Sequence, residues 1–327
     1  MLNFPQPPKN YGHVYLQETD RPLPKKLDPN IRYALFATIA TGGKSVIKSC
    51  KDLRLSRVVC YKTLRPEYAD DPIEQRRFLR EARVSAMLQH PNTVPTYELG
   101  RDRSGHYYFT MKLVHGYTLR EVLNYRERYD LTQLVDVIVQ VGNALEYAHT
   151  HGVVHRDVKP ENILVGPYGE VLLMDWGLAK VWNEDGSSVD EQDAELKVPR
   201  KQKSNVSVTE LSMTGRGELQ GTASYMSPEQ IQRDPQIDHR TDIYSLGAVF
   251  YEVLCGRTTS GLDQISKVVE HTLNVEVPGP STHTELRIPQ LLEEACMRCL
   301  QKLPTERFAS MSQLLRLLQE DWRSDLI

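Results

Sequence analysis

The sequence predicts an α+β protein built as two lobes, the first strand-rich and the second mainly helical. Three observations carry this expectation. β-Branched and aromatic runs flank a pair of glycines early in the chain, in "YALFATIA" and "SRVVCYKTL", which is strand composition. From Leu134, apolar residues recur at Ile138, Val141, Leu145 and Ala148, gaps of 4, 3, 4 and 3 that line one helical face. The stretch "TDIYSLGAVFYEVLCG" is apolar nearly all round and stops at Gly256, as a helix buried in the middle of a lobe would.

Taken in order, residues 1 to about 30 hold Pro5, Pro7, Pro8, Pro22, Pro24 and Pro29 and read as an extended arm. Residues 31–114 make the first lobe. Within it, "DPIEQRRFLREARVSAMLQH" starts a helix: Asp71 can cap it, Pro72 suits the first turn, and Glu74 stands where a capping box wants its acid. "TVPTYELG" and "HYYFTMKLV" return to strand composition. Residues 115–327 make the second lobe, with "PQLLEEACMRCLQK" and "ASMSQLLRLLQEDW" as further helices. Within this lobe a polar stretch at about 183–210, acidic first and basic second, lacks the apolar content to order itself.

Bulk properties exclude several classes. The 327 residues suit one large bilobal unit or two domains, and 40% hydrophobic with 25% charged residues describes a globular protein. Forty Lys and Arg stand against 43 Asp and Glu, so no basic field recommends nucleic acid or a membrane surface. No apolar run reaches the roughly 18 residues of a membrane span, and "MLNFPQPPKN" has neither region of a signal peptide. The five cysteines make no disulfide framework, which points to a reducing, cytoplasmic setting. Cys296 and Cys299 form one C-x-x-C pair on an apolar helical face and read as buried packing, not a metal or redox site.

The segment Gly42-Gly43-Lys44-Ser45 invites a P-loop reading. That motif, G-x-x-x-x-G-K-[ST], would put its first glycine at position 38, which is Thr38, and a helix after Ser45, where the chain is strand-like instead. The competing template is a glycine loop between two strands, G-x-G-x-x-G, in which Lys44 is an incidental loop residue. Only the middle glycine, Gly42, is kept; Ala40 and Ser45 replace the outer two.

The chemistry lies further on. His155-Arg156-Asp157-x-x-x-x-Asn162, Asp175-Trp176-Gly177, Ser227-Pro228-Glu229 and "VVCYK", ending at Lys62, occur in this order. They resemble the catalytic loop, D-F-G, A-P-E and V-A-I-K motifs of the eukaryotic-type serine/threonine protein kinase family, which has close bacterial members. The resemblance covers about residues 31–322 and implies the bilobal protein kinase fold, with an activation segment at 175–229. It implies that Asp157 accepts the proton of a substrate hydroxyl, that Lys159 places positive charge near the γ-phosphate, and that Asn162 and Asp175 hold Mg²⁺, or Mn²⁺. Lys62 would hold the α- and β-phosphates of ATP. Its carboxylate partner would be Glu81, with Glu74 the alternative. The adenine would meet the backbone of Lys112 and Val114 next to Met111, under Ile47, with Ile39, Ala40, Gly42 and Gly43 in the nucleotide loop.

The same resemblance makes Arg156 the reader of a phosphate on the activation segment. Thr214 is the first choice of acceptor, followed by Ser212 and Thr209. Thr222 would contact Asp157. Glu229 and Arg307 would pair to fasten the segment's end, and Asp242 would be structural, as would His155. The expected partners are proteins with Ser or Thr acceptors, including a transient second copy for trans-autophosphorylation. Ala40 and Ser45 restrict the loop backbone, and Trp176 is larger than the usual Phe. A pseudokinase that signals by shape is therefore the alternative, opposed by the retention of Lys62, Asp157, Asn162 and Asp175.

Overall fold

The structure, a computed structural model, describes residues 22–23, 32–182, 223–319 and 322. The N-terminal part is an antiparallel sheet of β1 (Tyr33–Thr41), β2 (Ser45–Asp52), β3 (Arg57–Leu64), β4 (Thr96–Arg101) and β5 (Tyr107–Lys112), ordered β1-β2-β3-β5-β4. Helix α1 (Pro72–Met87) packs on it. The glycine pair thus sits in a hairpin turn between two paired strands, and no helix follows Ser45. That removes the helix N-terminus a P-loop requires.

The central strand β3 has two different faces. Val59 and Tyr61 pack with Cys50, Tyr33 and Tyr108, while Leu64 packs with Phe109 and with Phe78 and Ala82 of α1. The period of two in a strand puts Lys62 on the Leu64 side, facing α1. On α1, Phe78, Glu81 and Ala82 share one helical stripe, so Glu81 is aimed at that same face of the sheet. The far end of α1 is held differently: Val84 and Leu88 belong to the core of the C-terminal part.

Helix α1 begins as the sequence predicts, with the Asp71 carboxylate accepting the N–H groups of Ile73 and Glu74 at 2.8 and 3.2 Å. The expected capping box is only half made. The Glu74 carboxylate goes instead to Lys44 and Arg77, at 2.6 and 3.2 Å, and the Asp71 N–H bonds to the Tyr68 carbonyl. Two cations hold a carboxylate more strongly than one backbone N–H does.

The C-terminal part contains α2 (Leu119–Leu123), α3 (Leu131–Thr150), α4 (Pro228–Ile231), α5 (Arg240–Cys255), α6 (Ile265–Asn274), α7 (Gln290–Cys299) and α8 (Met311–Leu318). A complete capping box of Asp130 and Gln133 starts α3, and the predicted stripe from Leu134 to Ala148 is buried. Every residue of α5 from Thr241 to Cys255 is buried, in line with its all-round apolar sequence. Gly256 ends it at φ +75°, its N–H bonded to the Glu252 carbonyl at 2.8 Å. Glycine takes that left-handed conformation without steric penalty. Short strands β6 (Tyr117–Thr118), β8 (Ile163–Val165) and β9 (Val171–Leu173) form a second sheet, and β7 (Val153–Val154) pairs with β10 (Lys180–Val181). Runs of two or three residues carry no readable period, so the sequence does not announce them. Among the described residues no helix is long and apolar enough to cross a membrane.

Cys296 and Cys299 are buried free thiols on α7, as expected, and burial pushes the Cys299 thiol up to about 12. A Cβ at Gly247 of α5 would lie 2.4 Å from the Cys299 Cβ, closer than atoms approach. Gly247→Ala should therefore overpack the α5–α7 contact and lower stability by about 1–3 kcal/mol, read as an earlier urea midpoint at unchanged slope. A variant with the wild-type midpoint would show that the two helices can separate freely.

Candidate active site

The site is built around the loop between β7 and β8. Asp242, near the start of α5, is fully buried. Its Oδ2 accepts the His155 N–H at 2.8 Å, and its Oδ1 accepts the Arg156 N–H at 2.8 Å. The imidazole Nε2 of His149 donates to Oδ2 at 2.8 Å. Arg156 sits at φ +66°, and so does Asp175, at φ +62°. Such left-handed non-glycine backbone costs about 1–3 kcal/mol and persists only where neighbours fix it.

His155 joins the two strained segments. It is fully buried; its Nδ1 accepts the Asp157 N–H at 3.1 Å, and its Nε2 donates to the Met174 carbonyl at 2.9 Å. Trp176 is buried edge-on against it, ring centroids 4.5 Å apart. The larger ring is accommodated, and Asp175 still lines the cleft described next. The Met174 N–H donates to the Asn162 carbonyl at 2.8 Å, a second tie between the segments.

A cleft of about 590 Å³ opens between the two parts, lined by Gly42, Gly43, Lys62, Glu81, Asp157, Lys159, Asn162 and Asp175 among others. Lys62 Nζ and Glu81 Oε1 are 2.5 Å apart, so Glu81, not Glu74, is its partner. Burial opposes the ammonium of Lys62, but Glu81 and Asp175 outweigh it and raise the lysine above its ordinary value. Lys159 Nζ reaches both Asp157 oxygens, at 3.0 and 2.9 Å, and Asn162 Nδ2 donates to Asp157 Oδ2 at 2.9 Å. Burial nevertheless pushes the Asp157 carboxyl up. For Asp175 the balance reverses: burial raises it, yet Lys62, His155 and the Gly177 N–H bring it below the usual range.

Because Asn162 spends its side-chain N–H groups on Asp157, its side-chain oxygen Oδ1 is the atom that can meet a cation beside the ionised Asp175. Among the described residues no three His, Cys, Asp or Glu side chains gather as a metal set. Two hard oxygen donors fit a cation that completes its shell with phosphate oxygens and water.

Other predicted residues lie outside that cleft's lining. Ile47 pairs with Lys62 across β2 and β3, Ala40 pairs with Ile47, and Ile39 is half exposed on β1. Lys112 ends β5, and Val114 follows it. Arg156 Nε donates to the Leu178 carbonyl at 2.7 Å. Glu229 and Arg307 form a buried two-pronged ion pair at 2.6 and 2.8 Å. Thr209, Ser212, Thr214 and Thr222, with the 183–210 stretch, lie outside the described residues.

Sequence reasoning missed three groups. Lys44, an incidental loop residue in the strand–turn–strand template, pairs with Glu74. His149 on Asp242 had no signal beyond being polar at the end of an apolar stripe. Arg120 bonds Glu161 and Glu252 at 2.8 and 2.5 Å and also meets Tyr225, itself bonded to Glu252. Partners more than 100 residues apart cannot be matched from one sequence.

A family model described as the protein kinase domain matches residues 33–322. The chain is 33% identical over 299 residues to the serine/threonine-protein kinase PknD of Chlamydia caviae, covering 86% of this chain and 30% of that protein. It is 32% identical over 287 residues to the serine/threonine-protein kinase PknB of Mycobacterium tuberculosis, covering 86% and 42%. A probable serine/threonine-protein kinase of Clostridium acetobutylicum is 31% identical over 285 residues, covering 87% and 39%. The chain thus spans less than half the length of these relatives.

Burial raises the Asp242 carboxyl, but the hydrogen bond from His149, the nearby imidazole of His155 and the backbone N–H of Arg156 outweigh it and hold its pKa below the usual range. A depressed carboxylate contributes stability that is present above its unfolded value of about 3.9 and is lost as pH falls through the lower folded value. Asp242→Asn should therefore lower the melting temperature at pH 7 and flatten the melting curve's dependence on pH below about 4. Parallel acid slopes in variant and wild type would assign that dependence elsewhere.

Proposed function

This chain belongs to the protein kinase family and has its bilobal α+β fold, and on that premise we propose that it transfers the γ-phosphate of ATP to Ser or Thr hydroxyls of proteins. The observation that carries the reading is the meeting of Lys62, Glu81, Asp157, Lys159, Asn162 and Asp175 on one cleft under the glycine turn. The family uses ATP and a divalent metal, and the curated relatives carry serine/threonine-protein kinase names.

In this reading the first lobe is 31–114 and the second 115–327, with the activation segment at 175–229. The substrate hydroxyl oxygen attacks the γ-phosphorus while the bond to the β,γ-bridging oxygen breaks, so ADP leaves and the hydroxyl proton passes to Asp157. A raised carboxyl suits that task because its proton affinity is closer to the working pH. Lys159 offsets charge on the phosphoryl group in transit, and Lys62, fixed by Glu81, anchors the α- and β-phosphates. Asn162 and Asp175 would hold Mg²⁺, with Mn²⁺ as an alternative, which neutralises charge on the β- and γ-oxygens when bound. The two carboxylates divide the labour by environment: Asp175 stays ionised as a ligand, and Asp157 is the base. Ile47 and the backbone of Lys112 and Val114 form the adenine side, and Ile39, Ala40, Gly42 and Gly43 the nucleotide loop.

Regulation follows the same chemistry. A phosphate on Thr214, or on Ser212 or Thr209, adds about −1.5 to −2 charges that Arg156 can read. Autophosphorylation in trans would need a transient second copy, and Thr222 would contact Asp157. The Glu229–Arg307 pair fastens the segment's end.

Incubation with Mg²⁺ and labelled ATP tests the proposal. Asp157→Asn should lower kcat by about 10²- to 10⁴-fold, and Asp175→Ala should abolish incorporation. Equal incorporation in wild type and Asp175→Ala would defeat the enzyme reading and leave a pseudokinase. The acid limb of the kcat/KM profile should also fall above the ordinary aspartate value of about 3.9, because burial raises Asp157.

A further inference from the structure

Lys44, the residue that makes the glycine turn look like a P-loop, has no role in the reaction described above. Its side chain is nonetheless committed. Lys44 Nζ lies 2.6 Å from Glu74 Oε1, and the two side chains are only 20% and 9% exposed. Glu74 is the residue that gives up its place in the α1 capping box for this contact, and Arg77 Nη1 reaches the same oxygen at 3.2 Å. The turn is tied by its backbone as well. The Gly42 N–H donates to the Ser45 carbonyl and the Arg65 N–H to the Lys44 carbonyl, each at 2.9 Å. The Arg65 guanidinium donates to the Gly43 carbonyl at 3.3 Å.

The helix end of this contact matters most. Glu74, Phe78 and Glu81 are spaced by four and three residues, so they lie on one face of α1. That face presents Glu74 to the turn, Phe78 to the sheet and Glu81 to Lys62. Glu74, Arg77, Lys44, Lys62 and Glu81 all line the cleft. A turn carrying Ala40 and Ser45 is less adaptable than an all-glycine one, and lifting it away from α1 would strip a nearly buried carboxylate of its nearest cation.

We propose that Lys44 is a positioning residue: its ion pair with Glu74 latches the glycine turn to the helix that carries Glu81, so that the turn and the Lys62–Glu81 pair close on the triphosphate as one body. This rests on the nucleotide-binding part of the function proposed above. It differs from a P-loop role, in which the lysine would touch phosphate itself and would gain nothing from Glu74.

The test is equilibrium binding of a fluorescent ATP analogue with Mg²⁺ to wild type, Lys44→Met, Glu74→Gln, the double variant and Lys44→Arg, with kcat and KM measured alongside. Each single change should weaken nucleotide binding about five- to tenfold and raise the KM for ATP in step. The double variant should bind no worse than the weaker single one, because both break the same contact, and Lys44→Arg should restore binding. Unchanged affinity in Lys44→Met, or losses that multiply in the double variant, would overturn the proposal. Should Glu74→Gln fail to fold by circular dichroism, the contrast between Lys44→Met and Lys44→Arg decides. Because binding is read separately from turnover, expected affinities in a wild type that incorporates no phosphate would sink the transferase reading and leave the latch standing.

Discussion

One buried carboxylate organises the catalytic half of this molecule. Asp242 takes two backbone N–H groups and an imidazole onto its two oxygens, and through them it fixes where the 155–162 loop begins. It can do so because α5 is enclosed by α3, α7 and the surrounding core, which gives the carboxylate a rigid base away from the surface. The left-handed conformation of Arg156 is held open by that grip, and His155 carries the constraint across to Met174. The orientations of Asp157, Asn162 and Asp175 therefore descend from an apolar helix that contributes no side chain to the cleft lining.

Within that frame, two aspartates with the same side chain become different reagents. Asp157 is half-buried and Asp175 is exposed at the cleft, yet desolvation by the surrounding protein acts on both in the same direction. Asp175 has Lys62 and His155 near it and a backbone N–H on its oxygen, enough to keep its charge. Asp157 has Lys159 as its main compensation and Asp175 as a repelling neighbour, and burial prevails. The difference comes from the placement of cations around each carboxyl, which the fold sets before any ligand arrives.

Much of this was legible in the sequence, for identifiable reasons. The stripe from Leu134 to Ala148 and the apolar run up to Gly256 repeat over enough turns to be unambiguous. Lys62, Asp157, Asn162 and Asp175 could be picked out because their spacing follows known motifs, although each alone would pass for a turn or surface residue. Glu74 was legible only as two wrong alternatives, a capping-box acid and a stand-in for Glu81. A sequence window shows the acid but not the hairpin that folds Lys44 over it from 30 positions away. The Arg120 cluster failed to show for the same reason at greater range, and β6 to β10 were too short to leave a pattern. The proposed phosphoacceptors on 209–214 remain sequence expectations.

Helix α1 is anchored asymmetrically. Its C-terminal end, through Val84 and Leu88, is embedded in the larger core, whereas the Glu74 carboxylate at its N-terminal end meets Lys44 of the hairpin and Arg77. At 1.5 Å of rise per residue, Glu81 lies about 10 Å and Glu74 about 21 Å from Leu88. The helix is thus a lever with its fulcrum in the lower body: any swing about Leu88 carries Glu74 about twice as far as Glu81. A contact made at the long arm governs the short arm with a twofold mechanical advantage, which is why the outer end of α1 is the economical place from which to steer Lys62.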